Sequence, residues 1–305
     1  MKVLVATEKP FSPKAVEEIR RRIEDGGHTF SILEKYTAKE DLLKAVADAD
    51  ALIVRSDIVD EAVFAAAPSL KIVVRAGAGY DNIDLAAATG KGVIVENTPG
   101  QNANAVAELV IGMAILAARN KFSGSTGFEI SGKRLGLQGF GQVSRHVAAL
   151  AKGFGMEVSA IDPYCPAKVM EEAGVTPCES VEALYAGNDI VSIHIPATKE
   201  TVGSIGKDLI GKLPKGAVLI NTARKEVVVD DDLLEVLEQR PDLKYFADVK
   251  PGNAAVLEEK FADRVFFTPK KSGAQTKEAN LNAGVAAANQ IVAFFADGTD
   301  RFRVN

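Results

Sequence analysis

Tryptophan is absent from this chain of 305 residues, and cysteine (two), histidine (three) and methionine (four) are scarce. Cys165 and Cys178 form no C-x-x-C pair, so neither a disulfide framework nor a cysteine zinc site has support, and no metal is expected. A reduced, cytoplasmic compartment fits this usage. Long apolar runs are also missing. The longest, Leu109 to Ala118, falls short of the roughly 20 residues that span a bilayer, and Met1 to Thr7 lacks the length of a signal-peptide core. No membrane partner is expected. A surplus of basic charge is absent too: the net charge is -5 and the Lys and Arg residues are interspersed with acids, which argues against nucleic acid.

What is present is the composition of an ordinary globular protein, 47% hydrophobic and 25% charged, long enough for two domains with a cleft between them. β-Branched apolar runs at Lys2-Val5, Ala51-Val54, Lys71-Val74 and Val93-Val95 alternate with helical periodicity such as Pro13 to Asp25. A second series runs through Arg134-Leu137, Glu157-Ile161, Asp189-Ile193, Ala217-Ile220 and Val265-Thr268. The alternation predicts α/β architecture with two doubly wound parallel-sheet domains. The apolar helix Asn104 to Arg119 is expected to cross from one to the other. A last helix, Lys277 to Asp297, is expected to return to the first, giving a discontinuous substrate domain of residues 1-98 plus 278-305 and a nucleotide domain of residues 99-277.

The most informative segment is Leu135-Gly136-Leu137-Gln138-Gly139-Phe140-Gly141-Gln142-Val143-Ser144, a G-x-G-x-x-S turn between an apolar strand and a helix. Gly139 suits a tight turn, Gly141 lets backbone approach a pyrophosphate, and the helix N-terminus offers free amides and a positive dipole end. Ser144 stands in for a third glycine. Asp162 follows the next strand, where a carboxylate accepts ribose hydroxyls and repels a 2′-phosphate, so NAD is the expected cofactor and the larger domain a Rossmann domain.

With that turn placed, further segments stand out: Val74-Arg75-Ala76-Gly77-Ala78-Gly79-Tyr80-Asp81-Asn82-Ile83-Asp84, Asn97-Thr98-Pro99-Gly100-Gln101-Asn102, Val106-Ala107-Glu108-Leu109 and Ile220-Asn221-Thr222-Ala223-Arg224. Together they resemble the D-2-hydroxyacid dehydrogenases, over nearly the whole chain, and within that family the phosphoglycerate dehydrogenases. The resemblance implies that Arg224 orients the substrate carboxylate, a role its planar fork suits. It places Arg55, Ser56, Asn102 and the loop at Ala76 and Gly77 on the substrate, with Arg55 toward a phosphate. Cofactor contacts are implied at Gly139, Gly141, Gln142, Val143, Asp162, His194, Pro196, Thr222, Ala223 and Asp248, the last near the nicotinamide amide. A homodimer is implied as well.

The departures from the family are specific. Its acid/base histidine follows a Thr-Pro, but here Thr268-Pro269 leads into Lys270-Lys271. Its supporting glutamate has no counterpart either, since Asn253 stands five places after Asp248. An ammonium group can protonate a carbonyl oxygen as hydride arrives, so Lys270 or Lys271 is the expected acid/base. A short subgroup with lysine there and no regulatory domain resembles this chain, including Ala223-Arg224-Lys225. Of the histidines, His28 and His146 read as structural or surface residues and His194 as a cofactor neighbour. The implied reaction is NAD-dependent oxidation of 3-phosphoglycerate to 3-phosphohydroxypyruvate in serine biosynthesis. The alternatives are a glyoxylate or hydroxypyruvate reductase, and a non-catalytic NAD-binding regulator.

Overall fold

The computed structural model describes all 305 residues, which divide into two compact units: residues 1-102 with 275-305, and residues 103-274. In the first unit, strands β1 (Lys2–Thr7), β2 (Thr29–Glu34), β3 (Ala51–Val54), β4 (Ile72–Arg75) and β5 (Ile94–Asn97) alternate with helices α1 (Pro13–Asp25), α2 (Lys39–Val46), α3 (Glu61–Ala66) and α4 (Leu85–Gly90). All pairings are parallel, in the order β2-β1-β3-β4-β5. Every residue of β3 is buried, as expected of a strand covered on both faces.

The second unit begins with α5 (Ala103–Ala118) and continues with α6 (Gln142–Gly153), α7 (Ala167–Glu172), α8 (Val181–Gly187), α9 (Lys207–Ile210), α10 (Asp230–Gln239) and α11 (Ala254–Lys260). Interspersed are β6 (Arg134–Gln138), β7 (Glu157–Ile161), β8 (Thr176–Pro177), β9 (Ile190–Ile193), β10 (Val218–Asn221), β11 (Lys244–Ala247) and β12 (Val265–Phe267). These strands form one parallel sheet in the order β12-β11-β10-β9-β6-β7-β8. The order reverses between β6 and β9, and the strand ends flanking such a reversal are where open α/β sheets bind ligands.

α12 (Lys277–Asp297) belongs to the first unit and packs on α1, β3 and β4. Thr276 caps its start by accepting from the Ala279 amide at 3.1 Å, and Gly298, with φ +78°, ends it. Close approach to α1 depends on Gly284, where a Cβ would lie 2.6 Å from Ile19 Cδ1.

The structure differs from the sequence-based expectation in two respects. The helix expected to cross between units lies wholly in the second, because Ala103, Ala107, Val110, Ala114 and Ala117 form one buried stripe of an i, i+3, i+4 pattern against α6, β10 and β11. The first junction therefore falls at the start of this helix, leaving residues 99-102 with the first unit, and the second falls before the Thr276 cap. In addition, β11, with the sequence Lys-Tyr-Phe-Ala, is a buried interior strand that the periodicity did not mark.

Candidate active site

The turn Gly139-Phe140-Gly141 joins β6 to α6 at the reversal of strand order. Gly139 has φ +96°, and a Cβ on it would lie 3.0 Å from the His194 carbonyl oxygen at the end of β9, so both conformation and crowding require glycine. A Cβ on Gly141 would meet nothing within 4 Å. That open space lies directly at the start of α6, whose N-cap is Gly141 itself and supplies no side-chain acceptor, so the amides of Gln142 and Val143 face it with the positive end of the helix dipole. Ser144 is fully buried one turn in, where a larger side chain would push helix from sheet.

Asp162 follows β7. Its Oδ2 accepts from the Phe140 amide at 2.7 Å and its Oδ1 from the Tyr164 amide at 2.8 Å, which ties the carboxylate to the glycine turn. Each oxygen retains a second lone pair, enough for a pair of vicinal hydroxyls. His194, after β9, donates its amide to Gln138 O at 2.8 Å. Its ring is half-buried, its Nε2 is shut off from solvent with no hydrogen-bond partner, and this burial pushes the imidazole down to about 4. The ring is therefore neutral at pH 7. Thr222 is buried as well, and its Oγ1 lacks a partner. A two-glycine cradle, an uncapped helix start and an acid tied to the turn together fit a dinucleotide.

The ends of β10, β11 and β12 build a pocket of about 380 Å³ lined by Arg224, Lys225, Glu226, Asp248, Val249, Lys250, Thr268, Pro269, Lys270 and Lys271. Asn221, the last residue of β10, is fully buried behind the pocket and holds the loop that carries Arg224. Its Oδ1 accepts from the Ala223 amide at 3.0 Å and its Nδ2 donates to Arg224 O at 2.9 Å. Arg224 Nη1 donates to Ala223 O at 3.0 Å. Asp248, next along the sheet, is buried and donates its amide to Asn221 O at 3.0 Å. Its carboxylate faces the turn that carries the lysines, accepting from Thr268 Oγ1 at 2.8 Å, Ser272 N at 2.6 Å and Gly273 N at 2.9 Å. Thus the structure brings Arg224, Lys270 and Lys271 to one pocket. Asn253 is not among its lining residues; its Nδ2 donates to Asp230 O at 2.8 Å.

In the first unit, the expected substrate residues follow β3, β4 and β5. Asp57, buried beside them, accepts from the Glu8 amide at 2.7 Å, Tyr36 Oη at 2.8 Å and the Arg55 amide at 3.1 Å, and so fixes the Arg55-Ser56 turn. Ser56 is exposed. The Arg55 guanidinium has internal partners: it donates to Lys9 O at 2.7 Å, Pro10 O at 3.1 Å and Asn280 Oδ1, over the Phe11 ring. The amides of Ala76 and Gly77 are also spent, on Val54 O and Arg75 O at 2.8 Å each, which leaves those of Ala78 and Gly79 to meet an anion. Gly77, with φ +153°, admits the Arg75 side chain where a Cβ would sit. Asn102 is half-buried at the end of this unit.

A family model described as the catalytic domain of D-isomer specific 2-hydroxyacid dehydrogenases matches residues 3–305. The chain belongs to this family. Among solved structures it is similar to the NAD+-bound 3-phosphoglycerate dehydrogenase of Entamoeba histolytica, with 45% identity and a TM-score of 0.91 over 100% of this chain and 98% of that one. It is 36% identical over 271 residues to D-3-phosphoglycerate dehydrogenase of Methanocaldococcus jannaschii, covering 83% of this chain and 51% of the relative. It is 33% identical to hydroxypyruvate reductase of Thermotoga maritima, covering 85% and 89% respectively. The chain thus spans about half the length of the curated phosphoglycerate dehydrogenases it matches.

Sequence reasoning missed the holding roles of Asp57, Asp248 and Asn221. Asp57 lies two residues past Arg55, and Asp248 lies opposite a Thr-Pro turn that is distant in sequence. Only the first of these spacings is a local signal.

Proposed function

We propose that this chain is an NAD-dependent dehydrogenase that interconverts 3-phosphoglycerate and 3-phosphohydroxypyruvate, the oxidation serving serine biosynthesis, and that it acts as a cytoplasmic homodimer. The convergence of Arg224 with Lys270 and Lys271 in one pocket carries this reading. The 45% identity to an NAD+-bound 3-phosphoglycerate dehydrogenase supports the substrate and the cofactor. NAD, when bound, supplies the hydride acceptor. Gly139, Gly141 and the amides of Gln142 and Val143 would hold its pyrophosphate, Asp162 its ribose, and His194, Pro196, Thr222 and Ala223 would line its path. Arg224 pairs with the substrate carboxylate and fixes the reacting carbon. Lys270 takes the hydroxyl proton during oxidation and returns it to the carbonyl oxygen during reduction; Lys271 is the alternative base. The lysine pair and Lys225 support a likeness to family members that use lysine in place of histidine.

A hydroxypyruvate reductase is the second reading. The internal partners of Arg55 favour it, as does the Thermotoga maritima relative, which is matched over 89% of its length. Purified protein should reduce 3-phosphohydroxypyruvate with NADH, and Lys270→Ala should lower kcat by about 10²- to 10⁴-fold, the usual worth of a general acid. Equal rates on hydroxypyruvate would remove the phosphate claim. Unchanged turnover in both Lys270→Ala and Lys271→Ala would remove lysine catalysis, and tight NAD binding without turnover would establish a non-catalytic regulator.

A further inference from the structure

Lys270 and Lys271 sit in an exposed turn, yet a base must be held within hydrogen-bond reach, about 2.6–3.2 Å, of the atom whose proton it takes. We infer that Asp248 is a positioning residue whose buried carboxylate pins both ends of the Thr268–Gly273 turn and so holds the lysine pair at the mouth of the Arg224 pocket. The inference rests on the proposed dehydrogenase reading and gives Asp248 a task other than contact with the nicotinamide amide.

The geometry is that of a clamp. At the leading end, Thr268 Oγ1 donates to Asp248 Oδ1 at 2.8 Å and lies 3.1 Å from its backbone oxygen. At the trailing end, the Ser272 amide donates to the same Oδ1 at 2.6 Å and the Gly273 amide to Oδ2 at 2.9 Å. The two lysines lie between these anchors. Pro269 stiffens the turn beside the first, and Ser272 Oγ donates to Lys270 O at 2.7 Å. Asp248 is itself fixed: it is 2% exposed, and its amide is bonded to Asn221 O, the residue that shapes the Arg224 loop. One chain of hydrogen bonds across the ends of β10, β11 and β12 therefore sets both the arginine and the lysine loops. Gly273 fits the clamp by lacking a side chain, since its Cβ would stand 3.0 Å from Asp248 Oδ2 and 3.2 Å from Val106 Cγ2.

The test compares the full-length protein with Asp248→Asn and Thr268→Val, reading kcat, KM for NADH, and hydrogen exchange at the Ser272 and Gly273 amides. Thr268→Val removes one anchor while leaving the carboxylate in place. Both variants should speed exchange at these amides by about tenfold or more, the loss expected for one charge-assisted hydrogen bond. Both should also lower kcat by about tenfold while KM for NADH stays within about twofold, the pattern of a group acting only through the transition state. Unchanged exchange overturns the clamp. So does faster exchange with kcat intact, and so does a raised KM for NADH in Asp248→Asn alone, which would return the carboxylate to the cofactor. If the wild type reduces no keto acid, the dehydrogenase reading fails separately, and the clamp is decided by exchange alone.

Discussion

His194 is a half-buried imidazole whose Nε2 has no partner, and burial holds it down to about 4, against 6.5 in solvent. In the unfolded chain it binds a proton as pH falls through 6.5; in the folded chain it does not until about 4. Stability from this residue is therefore present above 6.5 and lost progressively between 6.5 and 4. Each pH unit between those two values is worth about 1.4 kcal/mol, reduced here because the ring is partly exposed, so the loss is about 2–3 kcal/mol. Urea unfolding of wild type and His194→Asn at a series of pH values should show the wild type losing that much more stability on acidification. Parallel curves would place the proton elsewhere. The chemistry at this scale was partly legible. The sequence shows that no histidine follows Thr268-Pro269 and that lysines do, but a buried Nε2 depends on strands that meet only in the fold.

The strand-turn-helix element of the glycine turn was the most readable part, because its signal is local: an apolar strand, two glycines, a helical run and an acid at the end of the next strand. β11 was the least readable. Four residues are too few to show period-2 alternation, and a strand buried on both faces shows none. Missing this strand also hid the clamp, since Asp248 is the residue immediately after it. The glycine turn offers a test in its own right. Gly139→Ala forces a Cβ to within 3.0 Å of His194 O at φ +96°, so the ends of β6 and β9 must part. A strained left-handed residue costs about 1–3 kcal/mol, and the variant should unfold at lower urea by that amount while its NADH affinity falls by about tenfold or more. Wild-type stability with wild-type affinity in a titration would show that the turn tolerates a side chain.

Across the whole molecule, cations are distributed unevenly between structural and chemical tasks, and this bears on the substrate. Arg55, which resemblance assigns to the phosphate, holds Lys9 O, Pro10 O and Asn280 within the first unit. The second unit's pocket gathers Arg224, Lys225, Lys250, Lys270 and Lys271 against only Glu226 and Asp248. Asp248 is spent on the lysine turn, and Lys250 lies 3.5 Å from Glu258. If Arg224 takes the carboxylate and the Lys270-Lys271 pair serves the proton, Lys225 is left to meet a dianion. Lys225→Ala should then raise KM for 3-phosphohydroxypyruvate by about tenfold, the worth of one charge-assisted contact, with hydroxypyruvate unaffected. Arg55→Ala should act differently, lowering the stability of the first unit and weakening both substrates alike. Parallel kinetics and urea unfolding of the two variants separate the cases: a selective loss of the phosphorylated substrate in Arg55→Ala, with Lys225→Ala silent, would return the phosphate to Arg55.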